Sequence, residues 1–364
     1  MRVKLEEVCK RIYAGGDVPK DRYSTERTDK YCVPIYANAE KDAGLYGYTD
    51  EARETELSIT VAARGTIGYA AIRKEPFLPV VRLITVVPDL TKVSERYLFY
   101  ALRNCKPQSS GTSIPQLTVP DIKKNYLNLL ELPEQERIAD RLDQIKHIIE
   151  LREEEIKELD NLIKARFVEL FDLNNCDRIP LGDCTDFVDY RGHTPELSDE
   201  GTIRMINAKS VGRGFFKYVD EYVTEETYDN WMHRGFGYPG DILFVTEGHT
   251  FGNVCLIPEN LSKFALGQRV ITIKGHKEIK NAFLCSYMQT DMFWKDINTY
   301  KTGGTAQGIR SKDLVKVCVP IPPIVQQDEF MRFVKQIDKS KVVVQKALNE
   351  AQTLFNSLMQ EYFG

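Results

Sequence analysis

The constraint that most limits this chain is a repeat. Placing Asp121 over Asp313 shifts the sequence by 192 residues, and the two segments then run without a gap to the end of the chain. Within them, "ELPEQERIADRLDQI" (131–145) is echoed by "IPPIVQQDEFMRFVKQI" (321–337), with Glu131 over Pro323 and Ile145 over Ile337, and each lead-in reads as the start of an amphipathic helix. The apolar stripe of the first helix is Ile138, Leu142, Ile145, Ile149, Ile156, Leu159, Ile163 and Leu170. The second offers Phe330, Val334, Ile337, Lys341, Leu348, Ala351, Phe355 and Tyr362 at the same places. Spacings of three and four over about ten turns belong to a coiled-coil-like helix. The stripe breaks at Arg152 and Arg166, opposite Val344 and Leu358 of the second copy, and at Lys341. Pro133 suits a first helical turn, where its missing N–H costs nothing, and Glu134 and Glu136 suit the positive end of the dipole.

The segments outside the helices repeat more loosely. "LEEVCKRIYAGGDVP" (5–19) lies over "LGDCTDFVDYRGHTP" (181–195), and "GLYGYTDE" (44–51) over "GFFKYVDE" (214–221). "ARGTIGYAAI" (63–72) matches "EGHTFGNVCLI" (247–257) through a T-x-G core, and "SSGTS" (109–113) matches "TGGTA" (302–306). Short β-rich runs punctuated by Gly and Pro fill both parts: "CVPIYA", "LSITVAA" and "FLPVVRLITVV", then "DILFVT", "VCLIP" and "QRVITIKG". Helices are expected at "SERYLFYALRN" and "NAFLCSYMQTDMFWKDI". The fold class is therefore α+β, with one domain type used twice and alternating with two long helices. The expected boundaries are 1–130, 131–175 for the central helix, 176–322, and 323–364 for the C-terminal helix. Two helices of about 38 residues, roughly 57 Å each, are expected to pair as an antiparallel coiled coil with the globular domains at opposite ends.

Composition narrows the function. The chain has 364 residues and is 42% hydrophobic and 28% charged, with no apolar run near the roughly 18 residues that span a bilayer. The opening "MRVKLEEVCKRIYAGG" is not patterned as a signal peptide, so a cytoplasmic protein with no membrane partner is expected. Eight scattered cysteines and five histidines show no clustered metal-ligand spacing, which points to reduced thiols and no metal. Net charge is -4, but residues 133–172 hold 12 acidic and 7 basic side chains, leaving the rest of the chain nearly neutral. That permits a local basic face.

Catalytic signatures are missing. There is no G-x-x-x-x-G-K-[ST], H-E-x-x-H or G-x-S-x-G, and no Asn/Asp-Pro-Pro-aromatic stretch. "GFGYPG" (235–240) satisfies G-x-G-x-x-G, but it leads into the strand-like "DILFVT" and reads as a turn rather than a dinucleotide fingerprint. "EIK" (155–157) sits on a charged helix face and reads as solvated surface.

These features together resemble the specificity subunit of a type I restriction–modification system, over essentially the whole chain. The likeness rests on "LPEQERIADRLDQIKHIIELREEEIKELDNLI", on the second helix with its "IPPIVQQ" lead-in and terminal "EYFG", and on "YRGHTPE" and "PGDILFVTEGHTFGN". The first domain departs further, with "GGDVP" in place of G-x-T-P and one proline before its helix. The resemblance implies two target-recognition domains that read an asymmetric, bipartite duplex DNA target, one half each. It implies a subunit that is not itself an enzyme and binds no cofactor. Its partners would be two methyltransferase subunits, which use S-adenosylmethionine to methylate adenine, and two restriction subunits, which use ATP and Mg. A non-catalytic scaffold that binds protein or carbohydrate through its paired domains remains the alternative.

Loops that align between the repeats but differ in chemistry are the candidates for DNA contact, with Lys and Arg for phosphates and Arg, Asn, Gln, Thr or His for bases. At the G-x-x-P turn these are Lys20 and Arg22, against Arg191, His193 and Thr194. At the T-x-G loop they are Arg64 and Thr66, against His249, Thr250 and Asn253. Around the third loop they are Ser110, Thr112 and Gln116, against Lys301, Thr302, Thr305, Gln307 and Arg310, and Lys209 and Arg213 add charge to the second domain. The acidic helix face Glu150, Glu153, Glu154, Glu155 and Glu158 is the candidate for docking the methyltransferase subunits, beside the plain reading as solvated surface.

Overall fold

The structure is a computed structural model that describes residues 1–105, 116–190, 194–301 and 307–364. It divides into two units, Met1–Glu154 with Gln345–Gly364, and Glu155–Val344.

In the first unit the strands are β1 (Arg2–Lys4), β2 (Cys9–Ala14), β3 (Val33–Tyr36), β4 (Leu45–Thr49), β5 (Ser58–Val61), β6 (Ala70–Arg73), β7 (Leu78–Pro79), β8 (Ile84–Pro88) and β9 (Tyr126–Asn128). The helices are α1 (Glu95–Arg103), α2 (Val119–Lys124) and the first part of α3 (Leu132–Leu170). Strands β2-β8-β5-β6 form an antiparallel sheet, β4-β3-β7 a second sheet with β3 and β7 parallel, and β1 pairs with β9. Every residue of β5 and β8 is buried, so their continuous apolar runs lie at the centre of the larger sheet. Helix α1 starts where Ser94 accepts the Tyr97 N–H and buries Tyr97, Leu98 and Leu102 in the same core.

The second unit repeats this plan. It contains α4 (Leu181–Cys184), α5 (Glu225–Trp231), α6 (Asn281–Tyr287), α7 (Asp291–Asn298), α8 (Ser311–Leu314) and the first part of α9 (Ile324–Phe363). Its strands are β10 (Arg178–Pro180), β11 (Thr185–Asp189), β12 (Ile203–Ile206), β13 (Tyr222–Val223), β14 (Ile242–Val245), β15 (Val254–Leu256), β16 (Phe264–Leu266), β17 (Val270–Gly275) and β18 (Cys318–Pro320). The sheets are β11-β17-β14-β15, then β13-β12-β16 with β12 and β16 parallel, and the β10–β18 pair. Strand for strand, this is the connectivity of the first unit.

Two expected elements are broken. The run "NAFLCSYMQTDMFWKDI" forms two helices, because Thr290 accepts the Phe293 N–H and starts a new one. The run "FLPVVRLITVV" is interrupted between β7 and β8, where Val81 and Arg82 adopt φ of 52° and 60°.

The long helices pack within each unit. In the first, Ile138, Leu142, Ile145 and Ile149 are buried in one core with Leu358, and Leu348, Ala351, Phe355, Met359 and Tyr362 pack against that core. In the second, Phe167 and Phe171 meet Phe330 at 5.5 Å each and Phe283 at 5.6 and 4.7 Å. Phe167, outside the expected stripe, is the buried residue there, while Ile156, Leu159, Ile163 and Leu170 are half-buried. Two of the breaks in the stripe carry ion pairs: Arg166 bonds Glu329 and Glu169, and Lys341 bonds Asp160.

A pair of buried glutamines ties each long helix to its own domain. Gln135 and Gln327 stand 192 residues apart, and both are fully buried. Gln135 accepts the Ser94 N–H at 2.9 Å and donates to the carbonyls of Lys92 and Leu130 at 2.9 and 2.8 Å. Gln327 accepts the Lys280 N–H at 2.8 Å and donates to Glu278 and Pro322 at 3.1 and 2.8 Å. Ser94 and Lys280 are the residues that precede α1 and α6, so each glutamine holds the start of a domain helix.

Among the described residues no helix is long and apolar enough to cross a membrane. All eight cysteines are free.

Candidate nucleic-acid interface

In each unit the T-x-G loop meets the root of the third candidate loop through the same main-chain contact. Leu117 N–H donates to Ala63 C=O at 2.9 Å, and Ile309 N–H donates to Thr246 C=O at 2.9 Å. Around the first junction Arg64 donates from Nε and Nη2 to Gln116 Oε1 at 3.0 and 2.8 Å, so two expected residues meet directly. Around the second, Gly248 N–H donates to Gln307 C=O at 3.1 Å, which brings His249 and Gln307 to one place. Arg64, Thr66, His249, Thr250 and Gln307 are exposed. Glycine is required at the second loop, since a Cβ on Gly252 would lie 2.1 Å from the Trp294 ring.

The G-x-x-P turn joins this cluster in the first unit. A Cβ on Gly15 would fall 2.6 Å from the Pro79 carbonyl, so the turn presses against the segment before β8. Gly16 C=O accepts the Val81 N–H at 2.8 Å. Asn38 bridges the same segment to the T-x-G loop, donating to Val81 C=O and accepting the Ala63 N–H at 2.7 Å. In the second unit the link runs through Ser311, beside Arg310, whose hydroxyl donates to Asp189 at the end of β11. Arg310 itself is exposed and precedes α8, and Thr194, just before Pro195 of the G-x-x-P turn, is exposed.

Several other expected residues have partners within the chain. Arg22 is exposed but engaged by Asp50 at 2.9 Å and Glu51 at 3.2 Å. The hydrogen bond to Asp50 raises the guanidinium's pKa and holds the Asp50 carboxyl below its ordinary range. Lys209 pairs with Glu221, and Asn253 donates its amide to Val211 C=O at 2.9 Å as a loop strut. Arg213 is exposed and its backbone bridges to Val254, beside the T-x-G loop. Lys20 is exposed, and Lys301 is half-buried with its ammonium 3.5 Å from Asn298 Oδ1. Ser110, Thr112, Arg191, His193, Thr302 and Thr305 lie outside the described residues. On α3, Glu150, Glu153, Glu154 and Glu158 are exposed and Glu155 is half-exposed.

Sequence reasoning missed three arginines. Arg82 was hidden inside an apolar run. Arg269, with φ 70°, precedes β17 and bonds Glu247 at 3.0 Å. Arg234 lies beside the "GFGYPG" turn; its N–H donates to the Tyr190 hydroxyl at 2.8 Å and its guanidinium sits 5.9 Å from that ring. The turn leads into β14. Among the described residues no three His, Cys, Asp or Glu side chains converge on a metal-sized site.

A family profile described as the type I restriction modification DNA specificity domain matches residues 1–161 and again 184–352. Two Mycoplasma pneumoniae proteins named as type I specificity subunits are 36% identical over 145 residues and 39% identical over 140. The first match covers 40% of this chain and the second 38%, and the chain spans about two fifths of these relatives' length, 39% and 41%. A Methanocaldococcus jannaschii protein named as a type I restriction enzyme specificity subunit is 22% identical over 90% of this chain and 87% of its own. Among solved structures, the type I system S subunit from M. genitalium superposes with TM-score 0.60 at 16% identity, covering 100% of this chain and 96% of its own. A chain solved in work on complex assembly and conformational transition of the type I system gives 0.57 at 16% identity, covering 100% and 97%. At such identities these two likenesses speak to the fold.

Proposed function

The chain belongs to the type I restriction–modification DNA specificity family, and on that premise we propose that it reads an asymmetric, bipartite duplex DNA sequence, one half per domain. The observation that carries this reading is the doubled loop junction, Ala63 with Leu117 and Thr246 with Ile309. The same scaffold presents Arg64 and Gln116 in one unit and His249, Gln307 and Arg310 in the other. A shared frame with different side chains at its tips suits two different half-sites.

In this reading α3 and α9 pair as an antiparallel coiled coil. The ion pairs Asp160–Lys341 and Arg166–Glu329 support it, because the α9 partner falls in number as the α3 residue rises. The chain contributes recognition and no catalytic group. Two methyltransferase subunits that carry S-adenosylmethionine dock on the helices, with the Glu150–Glu158 face as part of the contact, and two restriction subunits that use ATP and Mg complete the complex.

The test is the salt dependence of duplex binding by the purified chain. A reader that neutralises several phosphates loses affinity steeply, with a log–log slope of about -0.9 per phosphate contacted. Binding that is insensitive to salt between 50 and 200 mM, the range over which that loss is about 10³-fold or more, would exclude this reading and favour a protein- or carbohydrate-binding scaffold.

A further inference from the structure

Arg82 occupies a position that ordinary packing does not explain. It follows Val81, and both adopt left-handed backbone conformations, with φ of 60° and 52°. A β-branched residue avoids that region, so something must hold the segment there. The restraints are the Val81 N–H to Gly16 C=O bond at 2.8 Å, the Leu83 N–H to Val80 C=O bond at 3.0 Å, and the Asn38 amide on Val81 C=O. Those bonds come from the G-x-x-P turn and from the residue that braces the T-x-G loop. The segment is thus clamped between two candidate DNA-contacting loops, with Arg82 exposed at its tip.

Arg82 also lines a cavity of about 130 Å³ together with Arg64, Gln116, Ala63, Ile84 and Leu117. Arg64 is already oriented by two bonds to Gln116 Oε1. Among the described residues no carboxylate pairs with Arg64 or Arg82. The second unit shows what a neutralised version looks like. Its own left-handed arginine, Arg269, is bonded to Glu247 at 3.0 Å. Two guanidiniums without a carboxylate partner among the described residues, one on a clamped backbone and one held by a glutamine, line this cavity.

We propose that Arg82 is a specificity-determining residue of the first domain that reads a guanine by forked hydrogen bonds to O6 and N7, beside Arg64 and Gln116. The fork geometry of guanidinium matches those two acceptors, and a preset backbone lowers the cost of presenting it. This inference rests on the DNA-reading function proposed above.

The experiment measures binding of the full-length chain to its selected target duplex and to duplexes carrying 7-deazaguanine, which lacks the N7 acceptor, at one guanine at a time. Arg82→Asn removes the guanidinium while keeping a residue that tolerates positive φ, and its melting temperature is expected to match the parent. R82N is expected to weaken target binding by on the order of 10- to 100-fold. It should also abolish the 7-deazaguanine penalty at one guanine of one half-site and leave the other half unaffected. Arg82→Lys, which keeps charge without the fork, should not restore that penalty. Uniform weakening across all sequences with full rescue by R82K would overturn the proposal in favour of a phosphate contact, and unchanged binding by R82N would overturn it by showing no contact at all. If the parent chain itself shows no preference among duplexes, the DNA-reading function fails first, and this inference with it.

Discussion

Replacing Gln135 by alanine tests whether a buried side chain fixes the first long helix to its domain. The side chain is fully buried and makes three hydrogen bonds: it accepts one N–H, from Ser94, and donates to two carbonyls, of Lys92 and Leu130. Alanine would leave one donor and two acceptors without partners in a site closed to water. At about 1 kcal/mol net per hydrogen bond, and more where a stranded group stays dry, the loss is about 3 kcal/mol. For a domain of this size that is a fall of about 6–12 °C in melting temperature, at about 2–4 °C per kcal/mol. Far-UV circular dichroism melts of Q135A, Q135M and Q327A would measure it. Methionine restores volume without donors, so Q135M should lie close to Q135A if hydrogen bonding dominates over the cavity. The two glutamines lie in different units, so the losses in Q135A and Q327A should add. A melting temperature for Q135A within about 1 °C of the parent, against the roughly 3 kcal/mol expected, would refute the reasoning.

Two further predictions follow from burial and charge. Glu54 is buried with Arg11 at 2.6 Å, Tyr13 at 3.1 Å and the Thr55 and Glu56 N–H groups at 2.9 Å. Burial pushes its pKa up, but the backbone bond from Glu56 and the bond from Arg11 outweigh it, so the carboxyl titrates below its ordinary value. A depressed pKa means stability that is present above the unfolded value of about 4.3 and is lost as pH falls through the folded one. Glu54→Gln should therefore lower stability at pH 7, by about 1–2 kcal/mol, because Arg11 is exposed and keeps Glu56 as a partner. It should also flatten the acid side of the melting profile, and an unchanged acid slope would contradict this. The second prediction concerns thiols: burial pushes Cys105 and Cys255 up to about 12 and Cys184 to about 11, while Cys32 and Cys318 are exposed. Iodoacetamide at pH 8 should label Cys32 and Cys318 in the native protein and the three buried thiols only after denaturation, because the thiolate is the reacting form. Mass spectrometry showing native labelling of Cys105 would disprove it.

The sequence exposed the repeat because its period is a property of the chain itself. The 192-residue register aligned Gln135 with Gln327 and Ile138 with Phe330, and both pairs play matched parts in the two units. The T-x-G loop and Gln116 were visible because glycine punctuates tight turns, and Arg64 meets Gln116 directly. What stayed hidden depends on backbone angle and burial. Arg82 sits in "FLPVVRLITVV", where apolar continuity suggests one strand, and nothing in composition announces two positive φ angles at Val81 and Arg82. Gln135 was read past because glutamine on an amphipathic helix is ordinarily solvated, although its recurrence at the same register was the available signal. Phe167 escaped the stripe because residues in the second half of α3 meet the Phe283 and Phe330 rings of their own unit rather than a continuous seam. Nothing in the sequence around Arg22 announces that Asp50 and Glu51, distant along the chain, hold its guanidinium.

In the proposed function, two domains of one kind read two halves of one DNA target. The most direct measurement is the map of methylated adenines in a genome modified by this chain together with a methyltransferase subunit. The account predicts a single asymmetric bipartite motif with a fixed gap, and exchange of residues 176–322 should change one half of it only. Methylation scattered without a motif, or a change in both halves on that exchange, would contradict the account.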